Sequence, residues 1–450
     1  MYTNLQFKNF RGSVIIAGLT ALLLVFSVFS PISAYAEQPM ISNGKIQTKK
    51  NNFNVVVLGD SLAAGYQKGF DSTSVPYGFG EIVYEQAMFQ GNRATYTNYG
   101  VLGLRSSGLL NWLTAMEKQQ HITANEVQQG LKDPRVDTII GDTKALHESI
   151  TGADLIVLSI GGNDFLNILA GLDLTKSVSS MSADEKNALV TQLQASTDNY
   201  KKNLTNILTI IQSLNSDVVI ASQNQYLPLP KMKFNGVESY LQVSPDLAEL
   251  LVGAQTNLNK EFDSIIEAFK KSGLHIDYID AAAVIDGNAL GLTDIATLDV
   301  HPNATGYQKL GEAYSNLLWG EYKTAAPRKA GDPLSVIVNG KDVVSTYPTK
   351  VINGRTYLVL RDITTAVGAE LSWSNKTETA TVKLNDRVVE LKVGSNSYLV
   401  NGKSYPLDAP VFLSKIGKEN KTYVPIAALS SGLDLFVQYW GKQKLVFVNN

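Results

Sequence analysis

The chain has 450 residues, 44% of them hydrophobic and 18% charged, with a formal net charge of −2 at pH 7. That length and composition suit two or three globular domains, and the near-neutral balance excludes a global field that would gather nucleic acid or a membrane surface. Cysteine is absent, which excludes disulfides, zinc–thiolate sites, thiol nucleophiles and a lipid-modified N-terminal cysteine, and fits an exported bacterial protein stabilised by its core.

The first element in chain order has the layout of a secretory leader. Lys8 and Arg11 precede an uncharged, mostly apolar run over 12–34, which ends in Ser33-Ala34-Tyr35-Ala36. A basic start, an apolar middle and a small-x-small end predict a signal peptide over 1–36, cleaved before Glu37. The protein is then secreted, either extracellular or cell-wall associated. An uncleaved membrane anchor is the competing reading, because the run is nearly long enough to span a bilayer; the Ala34/Ala36 pair favours cleavage. Residues 37–51 are polar and turn-rich and read as a leader into the first domain.

Residues 52–324 alternate strands with helices. Phe53 to Leu58, Ala94 to Asn98, Asp154 to Ile160, Val218 to Ala221 and His275 to Ile279 are short β-like runs. Long helical patterns cover 187–214, 245–272 and 303–319. This alternation predicts βαβ units around a parallel sheet, with working residues at the carboxyl ends of the strands.

Four loops carry chemistry. Ser61, in Gly59-Asp60-Ser61-Leu62, follows the first strand and precedes Ala63-Ala64-Gly65-Tyr66, which reads as a helix start. A serine becomes a nucleophile only with a base to take its proton and donors for the oxyanion. Gly103 lies in the loop after the second strand, and Asn163 follows Gly161-Gly162 at the tip of the third. The N–H groups of Ser61 and Gly103 and the carboxamide of Asn163 can together hold an oxyanion, each worth roughly 2.7–4 kcal/mol of barrier lowering. The plainer readings are a strand-to-helix turn at Ser61 and an Asx turn at Asn163. His301 is one of four histidines. His121 and His147 fall in helix-like polar stretches and His275 in a strand, which leaves His301, beside Asp299 and before Pro302, as the base.

These residues resemble a known family. Gly59-Asp60-Ser61-Leu62, Gly103, Gly161 to Asp164 and His301-Pro302 are similar to the four blocks of GDSL/SGNH lipases and esterases, in the same order over about 270 residues. Asn224-Gln225-Tyr226 is also similar to a segment of secreted bacterial members. The resemblance implies a flavodoxin-like three-layer α/β/α fold. It also implies Ser61 as nucleophile, His301 as base, and an oxyanion hole of Ser61, Gly103 and Asn163. One departure stands out. The family carries an aspartate three residues before the histidine, where this chain has Leu298; Asp299, two residues before, is the first candidate for the triad acid and Asp294 the second. Gly-x-Ser-x-Gly, the nucleophile elbow of α/β-hydrolases, is absent.

Ala325 to Leu334, rich in small residues with two prolines and a glycine, reads as a linker. Residues 335–450 then turn to short alternating strands with two short helix-like stretches and an internal repeat. Val338-Asn339-Gly340-Lys341 recurs as Val400-Asn401-Gly402-Lys403, and Arg355 to Leu360 as Lys421 to Ile426. Ala366-Val367-Gly368 is echoed by Ser430-Ser431-Gly432, and Trp373 by Trp440. The Asn-Gly pairs predict tight hairpins. This β-rich α+β repeat is similar to the copper amine oxidase N-terminal-like domain of bacterial surface proteins. Copper does not follow from that name: no His, Cys or Met occurs after His301, so copper's usual ligands are missing. From 331 to 450 there are 14 Lys+Arg against 10 Asp+Glu, a net of +4. That surplus suits anionic wall polymer or simply a solvated surface.

Taken together, the expectation is an exported, metal- and cofactor-free hydrolase of carboxylic esters. Its substrate is an acyl lipid, a small ester or an acetylated glycan, and residues 104–151 and 165–185 are candidate walls of the acyl pocket. A carbohydrate deacetylase is the alternative enzyme. A cell-surface binding protein with an idle SGNH scaffold is the alternative of another class, supported by Leu298 alone.

Overall fold

The computed structural model describes residues 41–42, 45–46, 52–234 and 237–450. The signal-peptide segment 1–36 lies outside them, as does most of the leader. Five parallel strands form the central sheet: β1 (Phe53–Gly59), β2 (Ala94–Gly100), β3 (Leu155–Ser159), β4 (Val219–Gln223) and β5 (His275–Ile279), in the order β2-β1-β3-β4-β5. This is the flavodoxin-like order, in which the chain reverses direction across the sheet beside β1.

The alternation of β1 explains the layers. Val55 and Val57 join one core with Phe79 and Val83 of α1 (Phe79–Phe89) and with Tyr307, Leu310 and Tyr314 of α6 (Ala304–Trp319). Val56 and Leu58 point into the other core, built with α2 (Ser106–Glu117), α4 (Ala183–Leu214) and α5 (Pro245–Lys271). A strand buried on both faces needs apolar residues without a polar alternation, as in any covered parallel sheet. The three long helices sit within a few residues of the expected spans. Ser182 starts α4 with a capping box, its side chain accepting from the Glu185 N–H while Glu185 accepts from the Ser182 N–H. Between β3 and α4 lies the short α3 (Gly162–Leu169).

Two expectations need correction. No helix follows Ser61. The segment closes a single turn, with Ala64 N–H donating to Asp60 O (2.9 Å) and Tyr66 N–H to Ser61 O (3.0 Å). Gly65, at φ +67°, ends that turn and the next helix begins at Phe79. The leader is also not merely polar: Ile46 is buried against the α6 side of the sheet, and Lys45 Nζ donates to Leu317 O at 2.7 Å.

The C-terminal region folds as fifteen elements around its own core. In chain order the strands are β6 (Ser335–Val338), β7 (Lys341–Asp342), β8 (Lys350–Ile352), β9 (Arg355–Val359), β10 (Glu370–Ser374), β11 (Thr379–Leu384), β12 (Arg387–Lys392), β13 (Ser397–Val400), β14 (Lys403–Pro406), β15 (Phe412–Ile416), β16 (Glu419–Pro425), β17 (Phe436–Trp440) and β18 (Leu445–Asn449). Helix α7 (Leu360–Val367) follows β9 and α8 (Ile426–Leu433) follows β16. They form three sheets, β7-β6-β18-β17, β8-β9-β16-β15 and β10-β11-β12-β13-β14, all antiparallel except β6 beside β18. The repeat is the unit strand–helix–hairpin: β9-α7-β10-β11 recurs as β16-α8-β17-β18. Its echo of Gly368 is Asp434 and not Gly432. Both Gly368 and Asp434 take the left-handed conformation that ends their helix (φ +77° and +58°), whereas Gly432 lies inside α8. Asn339-Gly340 and Asn401-Gly402 each have positive φ at both residues, as tight hairpins require.

Strand β18 joins the two regions. Val446 and Val448 face the C-terminal core, while Leu445 and Phe447 join the core that contains Met88 and Phe89 of α1. Phe447 meets Phe89 edge-to-face, ring centroids 4.9 Å apart, and Trp440 meets Tyr84 at 5.5 Å. The buried Asn449 Nδ2 donates to Met88 O (3.1 Å) and Asn92 O (2.7 Å), satisfying carbonyls at the carboxyl end of α1. Residues 38–450 accordingly form one unit.

Candidate active site

The loops at the carboxyl ends of β1, β2 and β3 converge with the loop that precedes α6. Gly59 makes the first turn possible. Its φ is +142°, and a Cβ there would lie 1.8 Å from Ser159 O. Only glycine lets the chain leave β1 this close to β3, and the next residues are Asp60 and Ser61. Ser61 Oγ lies 2.7 Å from His301 Nε2, and His301 Nδ1 lies 2.5 Å from Asp299 Oδ1. Ser61, His301 and Asp299 are thus hydrogen-bonded in series, a geometry able to hold the imidazole tautomer.

The departure at Leu298 is resolved by the backbone. Leu298 takes the left-handed conformation (φ +62°) and is solvent-exposed. Around it the loop closes on itself: Asp294 N–H donates to His301 O (3.0 Å), and Asp299 N–H to Asp294 O (3.3 Å). This places Asp299 under the imidazole, where it also accepts the His301 N–H at 3.1 Å. Asp294 contributes only backbone groups to that closure. The helix cap is Asn303, whose side chain accepts from Thr305 and Gly306, so Asp299 is free of a capping role. The His301 hydrogen bond holds the Asp299 carboxyl below its ordinary range. Tyr66 packs on the His301 ring, centroids 4.3 Å apart, and Tyr226 OH donates to Val300 O at 2.9 Å. Both tyrosines fix the loop from opposite ends.

Asn163 lines the cleft beside Ser61. The amides of Ser61 and Gly103 make no hydrogen bond among the described residues. Asn163, in the first turn of α3, gives one amide hydrogen to Leu104 O (3.0 Å), and its other makes no hydrogen bond among the described residues. This is more than an Asx turn, because it ties the Gly103 loop to α3. Gly103 sits at φ +78° with open space where a Cβ would be.

Sequence reasoning missed what holds that loop. Gln128 Nε2 donates to Gly103 O (2.9 Å) while its Oε1 accepts the Arg105 N–H (2.8 Å), bracketing the loop on both sides. Asp133 accepts the Leu102 N–H (2.9 Å), and Arg135, paired to Asp133 at 2.8 Å, donates to Gly100 O (3.0 Å). So Gln128, Asp133 and Arg135, within the first expected wall, hold the Gly103 loop, and no residue of 104–151 lines the cleft beside Ser61. Nothing in their sequence spacing announces this; the fold brings the three side chains onto the loop. Of the second expected wall, 165–185, only Phe165 and Leu166 line the cleft beside Ser61. Its other walls come from Leu227 and Pro228 after β4, Leu258 of α5, and Val300.

Two carboxyls lie behind the site, Asp60 buried and Asp164 half-buried. Burial pushes Asp60 up to about 7, helped by the nearby Asp164. Asp164 is itself raised by burial, although it accepts the Ser106 N–H at 2.8 Å and the Ser106 hydroxyl at 2.5 Å. Of the other histidines, His147 lies in a short helix, His121 in a loop and His275 exposed on β5, none of them in this cleft. Among the described residues no cluster of three or more metal-ligating side chains occurs.

The GDSL-like lipase/acylhydrolase family model matches residues 55–314, and the copper amine oxidase N-terminal domain model matches residues 337–448. The chain is similar in structure to a lipase from a goat rumen metagenome (18% identity, 60% of this chain and 100% of that one, TM-score 0.39). It is similar also to an extracellular lipase from Streptomyces rimosus (18%, 59% and 97%, TM-score 0.36) and to a carbohydrate acetylesterase from Sinorhizobium meliloti (15%, 59% and 97%, TM-score 0.32). No curated protein sequence matches the chain.

Proposed function

This chain belongs to the GDSL-like lipase/acylhydrolase family and is a carboxylic ester hydrolase; from that premise we propose that it works through an acyl-enzyme on Ser61, outside the cell. The observation that carries the reading is the continuous hydrogen-bonded series Ser61–His301–Asp299. His301 Nε2 takes the Ser61 proton as Oγ bonds to the ester carbon. The carbonyl oxygen becomes an oxyanion held by the Ser61 and Gly103 N–H groups and the Asn163 carboxamide. Asp299 stabilises the imidazolium that forms. As the carbonyl re-forms, the C–O bond to the alcohol breaks and His301 returns its proton to that oxygen. Water then repeats the sequence, with His301 as base, to release the acid and regenerate Ser61.

Export is supported by the leader pattern in residues 1–36, and the +4 surplus of residues 331–450 fits contact with anionic wall polymer. The C-terminal region holds no His, Cys or Met, so its residues do not fit copper and no step runs through it. A fluorophosphonate probe should label the protein on Ser61, and Ser61→Ala should fold, resist labelling and lose about 10⁴ to 10⁶ in kcat. A well-folded Ser61→Ala that hydrolyses esters at the wild-type rate overturns the proposal.

A further inference from the structure

We infer that the acyl subsite is a short, walled slot for acyl groups of about two to four carbons, with Leu258 closing its inner end. The inference rests on the ester-hydrolase reading above. The cleft beside Ser61 and His301 encloses about 40 Å³. A single water needs about 10–15 Å³ of occupied space, so the slot holds only a few groups of that size. An acetyl to butyryl chain fills it.

The lining decides which half of an ester enters. Leu62, Phe165, Leu166, Leu227, Leu258 and Val300 offer no partner to hydroxyl groups, and the polar Gln225, Tyr226 and Gln255 of the same lining already donate within the protein, to Ile160 O, to Val300 O, and to Gln225 O and Asp286. A polyhydroxylated or charged alcohol would lose its hydration there without replacement, whereas each methylene that fits gains about fourfold in kcat/KM. The acyl chain therefore takes the slot and the alcohol faces outward.

Burial orders the walls from mouth to end. Leu166 and Val300 are half-buried, while Leu227 and Leu258 are buried, Leu258 to 1% exposure. The far wall is fixed by hydrogen bonds and cannot retreat cheaply. Gln225 N–H donates to Asn259 Oδ1 (3.0 Å), and Gln225 O accepts from both Asn259 (2.9 Å) and Gln255 (3.0 Å). Gln225 Nε2 donates to Ile160 O (2.9 Å), and Asp286 accepts from Leu227 N–H (3.0 Å) and Gln255 (2.8 Å). A longer chain would have to break this set or displace Leu258 from a close-packed helix face. Beyond Leu258 it would meet the core of α5 and not solvent.

The test is hydrolysis of a p-nitrophenyl ester series from acetate to palmitate by the full chain and two variants. The wild type should peak at or before butyrate and fall at least tenfold in kcat/KM by octanoate. Leu258→Ala should move the peak to a longer ester. Leu166→Trp, at the half-buried mouth where folding tolerates a larger side chain, should lower butyrate relative to acetate. A wild-type optimum at octanoate or beyond overturns the slot, as do two folded variants that both keep the wild-type profile. Ester hydrolysis at no chain length, with Ser61 unlabelled by fluorophosphonate, overturns the ester-hydrolase reading itself and the slot with it.

Discussion

The two halves of this chain spend their polar groups differently. The hydrolase region buries charge: Asp60, Glu81, Glu85 and Asp133 are buried, and burial raises the first three, Asp60 and Glu85 to about 7. The C-terminal region, among its described residues, buries no carboxylate or cation, and its acid with a resolved shift, the exposed Glu419, is lowered by Lys421. Asp60 and Asp133 lie next to Ser61 and the Gly103 loop, where a hydrogen bond to a buried carboxyl offsets the desolvation it costs. The repeat region has only packing to achieve, and it achieves it by using one strand–helix–hairpin unit twice. One contributes the chemistry; the other covers the outer face of α1, whose first turn packs against the nucleophile turn at Gly65 and Gly78.

The sharpest way to break that contrast is at the triad. Asp299→Asn should leave thermal unfolding nearly unchanged and lower kcat by up to about 10⁴, because the amide favours the wrong imidazole tautomer. Its carboxyl is lowered in the folded state by the His301 hydrogen bond. The stabilisation from that pair is therefore present above the ordinary carboxylate range and lost as pH falls through the folded value. A kcat/KM within a few-fold of wild type at every pH would remove Asp299 from the triad.

Next in size is the seam between the regions. Phe447→Ala should cost about 3–5 kcal/mol, since it empties a space shared by Phe89 and the α1 core. Melting should show the hydrolase destabilised together with the repeat region, with kcat on a short ester near wild type at low temperature. A hydrolase melting transition left in place would mean that β18 only rests on α1.

A smaller, catalytic effect is expected at Gln128. Gln128→Ala frees both sides of the Gly103 loop, and kcat should fall about 10- to 100-fold with KM unchanged, less than the 10²–10³ for losing a donor outright. A boronate mimic of the tetrahedral intermediate should weaken in step. Unchanged boronate affinity would show that Asp133 and Arg135 hold the loop without it.

The smallest effect separates the buried charge from the chemistry. The folded Asp60 carboxyl is raised to about 7 by burial, so it keeps its proton where the unfolded chain has lost it. Wild-type stability should thus decline from about pH 4 to about 7 and level off above. Asp60→Asn, which can still accept the Leu62 N–H, should make that decline shallower in a comparison of thermal midpoints at pH 5 and pH 8, the remainder coming from Glu85 and Asp286, which burial also raises to about 7. Parallel pH profiles for the two proteins would contradict it.

Much of this was legible in the amino-acid order, for a physical reason. Strands covered on both faces show continuous apolar runs, and 55–58, 155–158 and 218–221 read that way. Ser61, Gly103 and Asn163 follow strand ends and His301 precedes α6, so all four were visible as breaks in the pattern. The repeat was visible because the same unit solves the same packing twice. What stayed hidden depends on backbone conformation or distant pairing. The left-handed Leu298 lets an aspartate two residues from the histidine do what spacing alone left open. The single turn after Ser61 looks like a helix start until Gly65 ends it. Gln128, Asp133 and Arg135 carry no local pattern, because their target is a loop more than twenty residues earlier. The seam on β18 was hidden for the opposite reason: alternation Leu445-Val446-Phe447-Val448 is apolar on both faces, which signals burial without naming the partner.

The most direct measurement is trapping of the acyl-enzyme. The full chain is mixed briefly with p-nitrophenyl acetate, quenched in acid and digested, and the peptides are read by mass spectrometry. An acetyl group on the peptide containing Ser61, formed with a burst of p-nitrophenol and absent from Ser61→Ala, is the predicted result. Turnover of the ester with Ser61 unmodified and the adduct on another residue, or an unimpaired burst from Ser61→Ala, would contradict the account.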